Sequence, residues 1–195
     1  MLSRAELLTL TGISEPRFAA LKLREQFPVF TAAPEALEEE TPRGVRRFRT
    51  WDAWGLMLLV MATEDGVEGG ALPEAMVKLV GAPHPGRTQA SDAARLLRAA
   101  ERPLSLHVPS ILHAEPGAPD VHIACAMVAQ PAPHEPNPKT ELAVGTLAEI
   151  VVAAERNPIV GRGPRTVLRL FTVNASEAWR RIRDRADAAG IDLGA

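Results

Sequence analysis

Arg17, Lys22 and Arg24, followed by Arg43, Arg46, Arg47 and Arg49, have the types and spacing that binding a polyanion requires. Cations lined along one side of a fold displace counterions from a phosphate backbone, and the arginine fork matches a guanine edge. On a helical reading of their segment, the first three fall away from the apolar pair Phe18 and Leu21 and so face outward. Close to the second group runs an acidic stretch, Glu35 with Glu38, Glu39 and Glu40. Beside Arg46 it would repel a duplex, so it is expected to point away or to mask the surface. The whole chain carries 22 Lys and Arg against 24 Asp and Glu, a formal net charge of -2, so any such surface is a local patch.

Other chemistries find less support. His122 and Cys125 are three apart, which on a strand puts them on opposite faces, and no metal or other cofactor is expected. Cys125 falls in register with Ile123 and Met127 and reads as a buried, inert thiol. There is no nucleophile elbow and no paired-carboxylate motif, and Gly161-Arg162-Gly163-Pro164 lacks the Lys-Ser/Thr ending of a phosphate loop. His107, His113, Glu115 and His134 stand in or beside loops, which keeps a small enzymatic or ligand-sensing domain as an alternative. Catalytic residues are not assigned. Arg180, Arg181, Arg183 and Arg185 alternate with Asp184 and Asp187 as on a solvated helix face.

The elements that must position the cations follow from local rules. Ser3 with Glu6 has capping-box spacing and predicts a helix over Arg4 to Leu10. Gly12 permits a tight bend, and Ser14 with Pro16 opens a second helix that carries Phe18 and Leu21 inward. Phe27 to Thr31 and Val45 to Arg49 read as two short strands of a wing-like hairpin. Thr50 is expected to cap a third helix reaching about Thr63, with Trp51, Trp54, Leu58 and Met61 on one face, and Leu72 to Val80 adds a fourth.

This order of elements, with Glu6-Leu7-Leu8-Thr9-Leu10-Thr11-Gly12-Ile13-Ser14 and Arg47-Phe48-Arg49-Thr50-Trp51-Asp52-Ala53, resembles the winged helix-turn-helix head of MerR-type regulators and their excisionase-like relatives. The resemblance covers about residues 3 to 80. It implies a second helix in the major groove of double-stranded DNA, a wing on the backbone and a role in transcription regulation. Where the family has an arginine followed by two aromatics, this chain has Ala19, Ala20 and Leu21, so contact falls to the cations above.

Residues 81–90 read as a linker, opening on Gly-Ala-Pro-His-Pro-Gly, and divide a head over 1–80 from a second domain over 91–195. Ser91 to Glu101 suits an amphipathic helix, while Leu104, Leu106 and Val108, then Val121, Ile123, Cys125 and Met127, alternate as strands do. Gln130 to Lys139 is a proline-rich loop. Thr146 to Arg156 suits either a helix or a strand, and Thr166 to Val173 reads as a central strand. Asn174 with Glu177 repeats the capping-box spacing ahead of a final helix ending at Gly190, with Ala178, Trp179, Ile182, Ala186 and Ala189 on one face.

The expected fold class is therefore α+β, a winged helix-turn-helix domain followed by a small domain with an antiparallel sheet and a C-terminal helix. No heptad follows Val80, so the family's coiled-coil dimerisation does not carry over. Two-fold operators still favour a homodimer. The second domain has room for a small-molecule or protein effector. A head that keeps its shape as a protein-interaction module is the rival reading. One cysteine and the absence of a long apolar stretch point to a cytoplasmic protein without a membrane partner.

Overall fold

The computed structural model describes residues 1–23, 48–64, 100, 104, 106–129, 139–156 and 163–194. The wing strands, the acidic loop, the expected helix over Leu72 to Val80, the linker and nearly all of Ser91 to Glu101 lie outside these residues. The described chain is mixed helix and strand, an α+β arrangement with a three-stranded antiparallel sheet and a C-terminal helix.

Helix α1 spans Arg4–Thr11, α2 Glu15–Leu23 and α3 Thr50–Glu64. Ser3 and Glu6 form the expected reciprocal capping box, and Gly12 closes α1 in the left-handed conformation at φ 70°. Ahead of α1, Leu2 and Phe48 exchange backbone hydrogen bonds of 2.6 and 2.8 Å, which joins the entries of α1 and α3. Helix α3 departs from the expectation of one apolar face, since every residue from Asp52 to Leu59 is buried. A helix apolar all round belongs inside a protein, and α3 is the central rod of the core. Nor does Thr50 cap it. The helix already begins at Thr50, whose hydroxyl donates to the Leu193 carbonyl, while the Arg49 N–H donates to the Asp52 carboxylate at 2.8 Å.

The segment from Leu104 to Val108 is not a strand. Leu106 and His107 form a turn, and a short helix α4, Val108–Leu112, follows. Pro109 lies in its first turn, where a missing N–H costs nothing, and that overrides an alternation only three apolar residues long.

Strands β1 (Val121–Ala129), β2 (Lys139–Thr146) and β3 (Thr166–Asn174) are ordered β2-β1-β3. The central strand is β1, and β3, expected there, is an outer strand of the described sheet. Both faces of β1 are covered, as its nearly continuous burial requires. Cα partners such as Ile123 with Val144 and Val173, and Cys125 with Leu142 and Phe171, define one face. A register shift after Met127 leaves Leu168 as the extra residue of a bulge in β3. Helix α5, Leu147–Glu155, resolves the ambiguous segment in favour of a helix, through a second reciprocal capping box between Thr146 and Glu149. Helix α6, Ala175–Ala189, ends on Gly190 in the left-handed conformation.

One sheet face shares its core with the helices: Val121, Ile123, Cys125 and Val173 join Leu7, Leu10, Trp54, Leu58, Ala178, Ile182 and Ala186. The opposite face is covered by α5, where Ala154 meets Ala126, Val128, Val167 and Leu170. Apolar contact thus runs without a break from residues of 1–64 into residues of 100–194. Cys125 is buried on the helix side, and burial pushes its thiol up to about 11, which suits an inert core cysteine. No helix among the described residues is long and apolar enough to cross a membrane.

Polar contacts fix α6 to the sheet. The Val121 N–H donates to the Ser176 hydroxyl at 3.0 Å, and the Arg180 guanidinium forks onto Asp120 at 2.6 and 2.7 Å. The Asn174 amide adds a bond of 2.7 Å to the same carboxylate, and Asn174 Oδ1 caps α6 by accepting from the Glu177 N–H. The reciprocal half of that cap is missing because the Glu177 carboxylate accepts from Arg180 and Arg181 instead. The Arg180 hydrogen bonds chiefly, then the Asn174 amide, hold the Asp120 carboxyl down at about 2 against the opposing effect of burial. An unfolded aspartate titrates near pH 4, about two units higher. The stabilisation from this clasp is therefore complete above about pH 4 and disappears as pH falls through about 2. Asp120→Asn should flatten the acid side of a plot of urea midpoint against pH between those limits, and should leave the midpoint's dependence on pH above 5 unchanged.

Candidate nucleic-acid interface

A helix-turn-helix presents its second helix only if the turn is short and both helices are buried on their inner sides. Here Leu7 and Leu10 of α1 and Phe18 and Leu21 of α2 are buried, with Ile13 closing the turn between them. Phe18 meets Phe48 edge to face at 5.8 Å, so α2 rests on the residue that pairs with Leu2. Ser14 stands just before α2, and its carbonyl accepts from the Phe18 N–H at 2.9 Å. The outward side of α2 carries Glu15, Pro16, Arg17 and Ala19, all exposed.

The expected cations divide unevenly. Arg17 is exposed on α2 and donates to the Thr63 hydroxyl of α3 at 2.8 Å. Arg49 is half-buried at the start of α3, where its carbonyl accepts from the N–H groups of Asp52 and Ala53 at 3.1 and 3.3 Å. Each is the sequence neighbour of a ring in the Phe18–Phe48 contact, so their backbones flank one aromatic contact. The Lys22 side chain, Arg24, Arg43, Arg46 and Arg47 lie outside the described residues.

Two further arginines shape this surface. Arg4 pairs with Glu15 at 2.9 Å and lies over the Phe18 ring, 5.2 Å from its centroid, bridging the two helices across the turn. Both partners are about half exposed or more, so the pair adds at most about 1 kcal/mol. Arg185 arrives from α6 and donates to the Leu10 carbonyl at 3.1 Å. A cation on the last carbonyls of a helix both satisfies an orphan acceptor and opposes the negative end of its dipole. Hence the arginines of α6 are not simply a solvated face: Arg180 holds the sheet and Arg185 holds α1. Nothing local in the sequence marks Arg185, since its partner is 175 residues away.

The Arg185 guanidinium also lies against Gly12. A β-carbon there would stand 2.7 Å from Arg185 Nη1, and the φ of +70° disfavours any side chain. Gly12 therefore answers to both the bend and the close approach of α6.

Among the described residues no group of three or more His, Cys, Asp or Glu is placed to hold a metal ion. Comparison with known proteins adds no relative: no family model matches the chain, and no curated protein and no solved structure matches it.

Gly12→Ala should lower unfolding stability by about 1–2 kcal/mol from backbone strain alone, and further through the clash. In an Arg185→Ala background only the strain should remain, so a double-mutant cycle by urea denaturation should give a coupling of opposite sign to the single losses.

Proposed function

We propose that this chain is a DNA-binding transcription regulator of MerR-like type, in which α2 addresses the major groove and residues after about Arg87 provide assembly or signal input. The observation that carries the reading is the outward side of α2. It offers Arg17 beside the small Ala19, while Phe18 and Leu21 are held inward and the turn at Gly12 is pinned from behind. A small residue lets the helix backbone approach base edges closely, and an arginine next to it reaches the acceptors of guanine. Arg43, Arg46, Arg47 and Arg49 would hold phosphates, a role that positions without reading sequence.

The same small, weakly charged surface supports a second reading, a protein-interaction face. Salt separates the two. Purified full-length protein titrated onto fragments of its own genome should retain selected fragments, with affinity falling steeply as salt rises. Arg17→Ala should weaken selected fragments by about tenfold or more and blur the preference, whereas Arg46→Ala should weaken all fragments alike. Absence of retention at low salt would leave only the protein-interaction reading.

A further inference from the structure

Helix α1 carries no cation of its own at its C-terminal end, since no basic residue stands in its last turn. The negative end of its dipole is met by Arg185 of α6, whose Nη1 donates to the Leu10 carbonyl. The same guanidinium lies against Gly12, with Cζ and Nη2 each 3.4 Å from where a β-carbon would stand. These two points bracket the bend at which α2 leaves α1. The Gly12 N–H closes α1 on the Leu8 carbonyl at 2.8 Å, and only Ile13 and Ser14 follow before α2 begins at Glu15. One side chain thus touches the turn at the last helical carbonyls and at its glycine.

The stem of Arg185 is held as firmly as its head. Ile182 and Ala186, on either side of it along α6, are buried in the core that also contains Leu7 and Leu10. At the start of α6 the Ala175 carbonyl accepts from the Trp54 indole, and beyond its end the Leu193 carbonyl accepts from Thr50. Helix α6 is therefore bonded to α3 on both sides of the residue that it extends to the turn.

We infer that Arg185 is a positioning residue for DNA reading: by bonding Leu10 and packing on Gly12 it sets the angle at which α2 leaves α1, which makes the C-terminal helix part of the reading head. The inference rests on the DNA-reading role of α2 and deepens it. A residue of the second half of the chain, 175 positions from its partner, completes the helix-turn-helix, so that half contributes more than assembly or signal input. Arg185 acts through the turn and neutralises no phosphate. Phosphate contacts depend on charge and carry no sequence information, whereas contacts to base edges depend on the aim of the helix. Loss of one such base contact costs about tenfold in discrimination.

Full-length protein is titrated onto its selected genomic fragments and onto random-sequence DNA, well below the unfolding midpoint of every variant. Arg185→Met keeps the length of the side chain and removes its donors and charge. It should lower the ratio of selected to random affinity by about tenfold and leave the salt dependence on random DNA unchanged. Arg185→Lys returns a cation and a donor to the Leu10 carbonyl and should recover most of the ratio. Arg180→Ala loosens the other end of the same helix and spares the turn, so it controls for lost stability and should keep the wild-type ratio. A second readout needs no DNA: hydrogen exchange at the Gly12 amide, measured relative to the amides of β1, should quicken by about tenfold in Arg185→Met and stay unchanged in Arg180→Ala. Wild-type protein that retains no fragment overturns the reading role of α2, while the exchange still shows whether Arg185 fixes the bend. With wild-type retention in place, an unchanged ratio in Arg185→Met or an equal fall in Arg180→Ala would overturn the proposal. So would a salt slope on random DNA reduced by about one in Arg185→Met, because Arg185 would then be a phosphate contact.

Discussion

The described structure depends on the burial of α6 between two surfaces that sequence separates widely. Its inner side is built from small residues, Ala175, Ser176, Ala178 and Ala186, around the single larger Ile182. Small side chains let neighbouring backbones come close, and the polar contacts use that proximity. The Trp54 indole donates to the Ala175 carbonyl at 3.0 Å inside the core, where an unmade bond would cost about 1–3 kcal/mol. Trp51 adds a stacked contact with Trp179 at 6.5 Å and an edge contact with Trp54 at 5.1 Å. The helices of the first sixty-four residues thus meet the sheet both directly, through α3 against β3, and through α6, which touches both.

Polar groups at each end of α6 convert that burial into a defined position. Asp120, Asn174, Ser176 and Arg180 tie its first turns to the start of β1, and Arg185 ties its last turns to the end of α1. The two ends differ in energy. The Asp120–Arg180 fork is partly exposed and screened, so its weight is modest despite good geometry. Apolar burial supplies most of the stability, at about 2–5 kcal/mol for removing a single large core side chain. The polar contacts decide which of several packings is adopted, a task for which direction matters more than magnitude.

Local features were legible in the sequence and long-range ones were not. The caps at Ser3 and Asn174 and the glycines at Gly12 and Gly190 lie within a few residues of their partners, and those helix boundaries follow from them, whereas the cap at Thr146 competed with the β-branched run Ile150-Val151-Val152 and left helix and strand open. Phe18 and Leu21 are buried as the helical reading of α2 expects. Strand β2 went unread beside the prolines of the preceding loop, although Thr140, Leu142 and Val144 alternate with Glu141, Ala143 and Gly145. The order of strands was equally hidden, because an apolar, β-branched run such as Thr166 to Val173 does not say how many neighbours it has. Of the candidate cations, Arg17 and Arg49 have their side chains among the described residues, and the neighbouring contacts of Arg4, Thr63 and Arg185 arise from tertiary packing.

An acidic chain presents a positive patch only where some of its cations are not neutralised internally. In this fold, aspartate and glutamate are consumed locally: Glu6 and Glu149 in their caps, Asp52 at the start of α3, Asp120 and Glu177 by Arg180, Glu141 by Arg165. Arg185 instead donates to a neutral oxygen, the backbone carbonyl of Leu10. A guanidinium bonded to a neutral acceptor keeps its full charge, and the field beside the end of α1 therefore owes more to such a placement than to the net charge of -2. Coulombic attraction to a phosphate falls off within about a Debye length of 8–10 Å, so carboxylates sequestered farther away than that scarcely weaken it. The sign of the whole molecule sets its solubility, while the sign of a patch is set by which residues the fold has already paired.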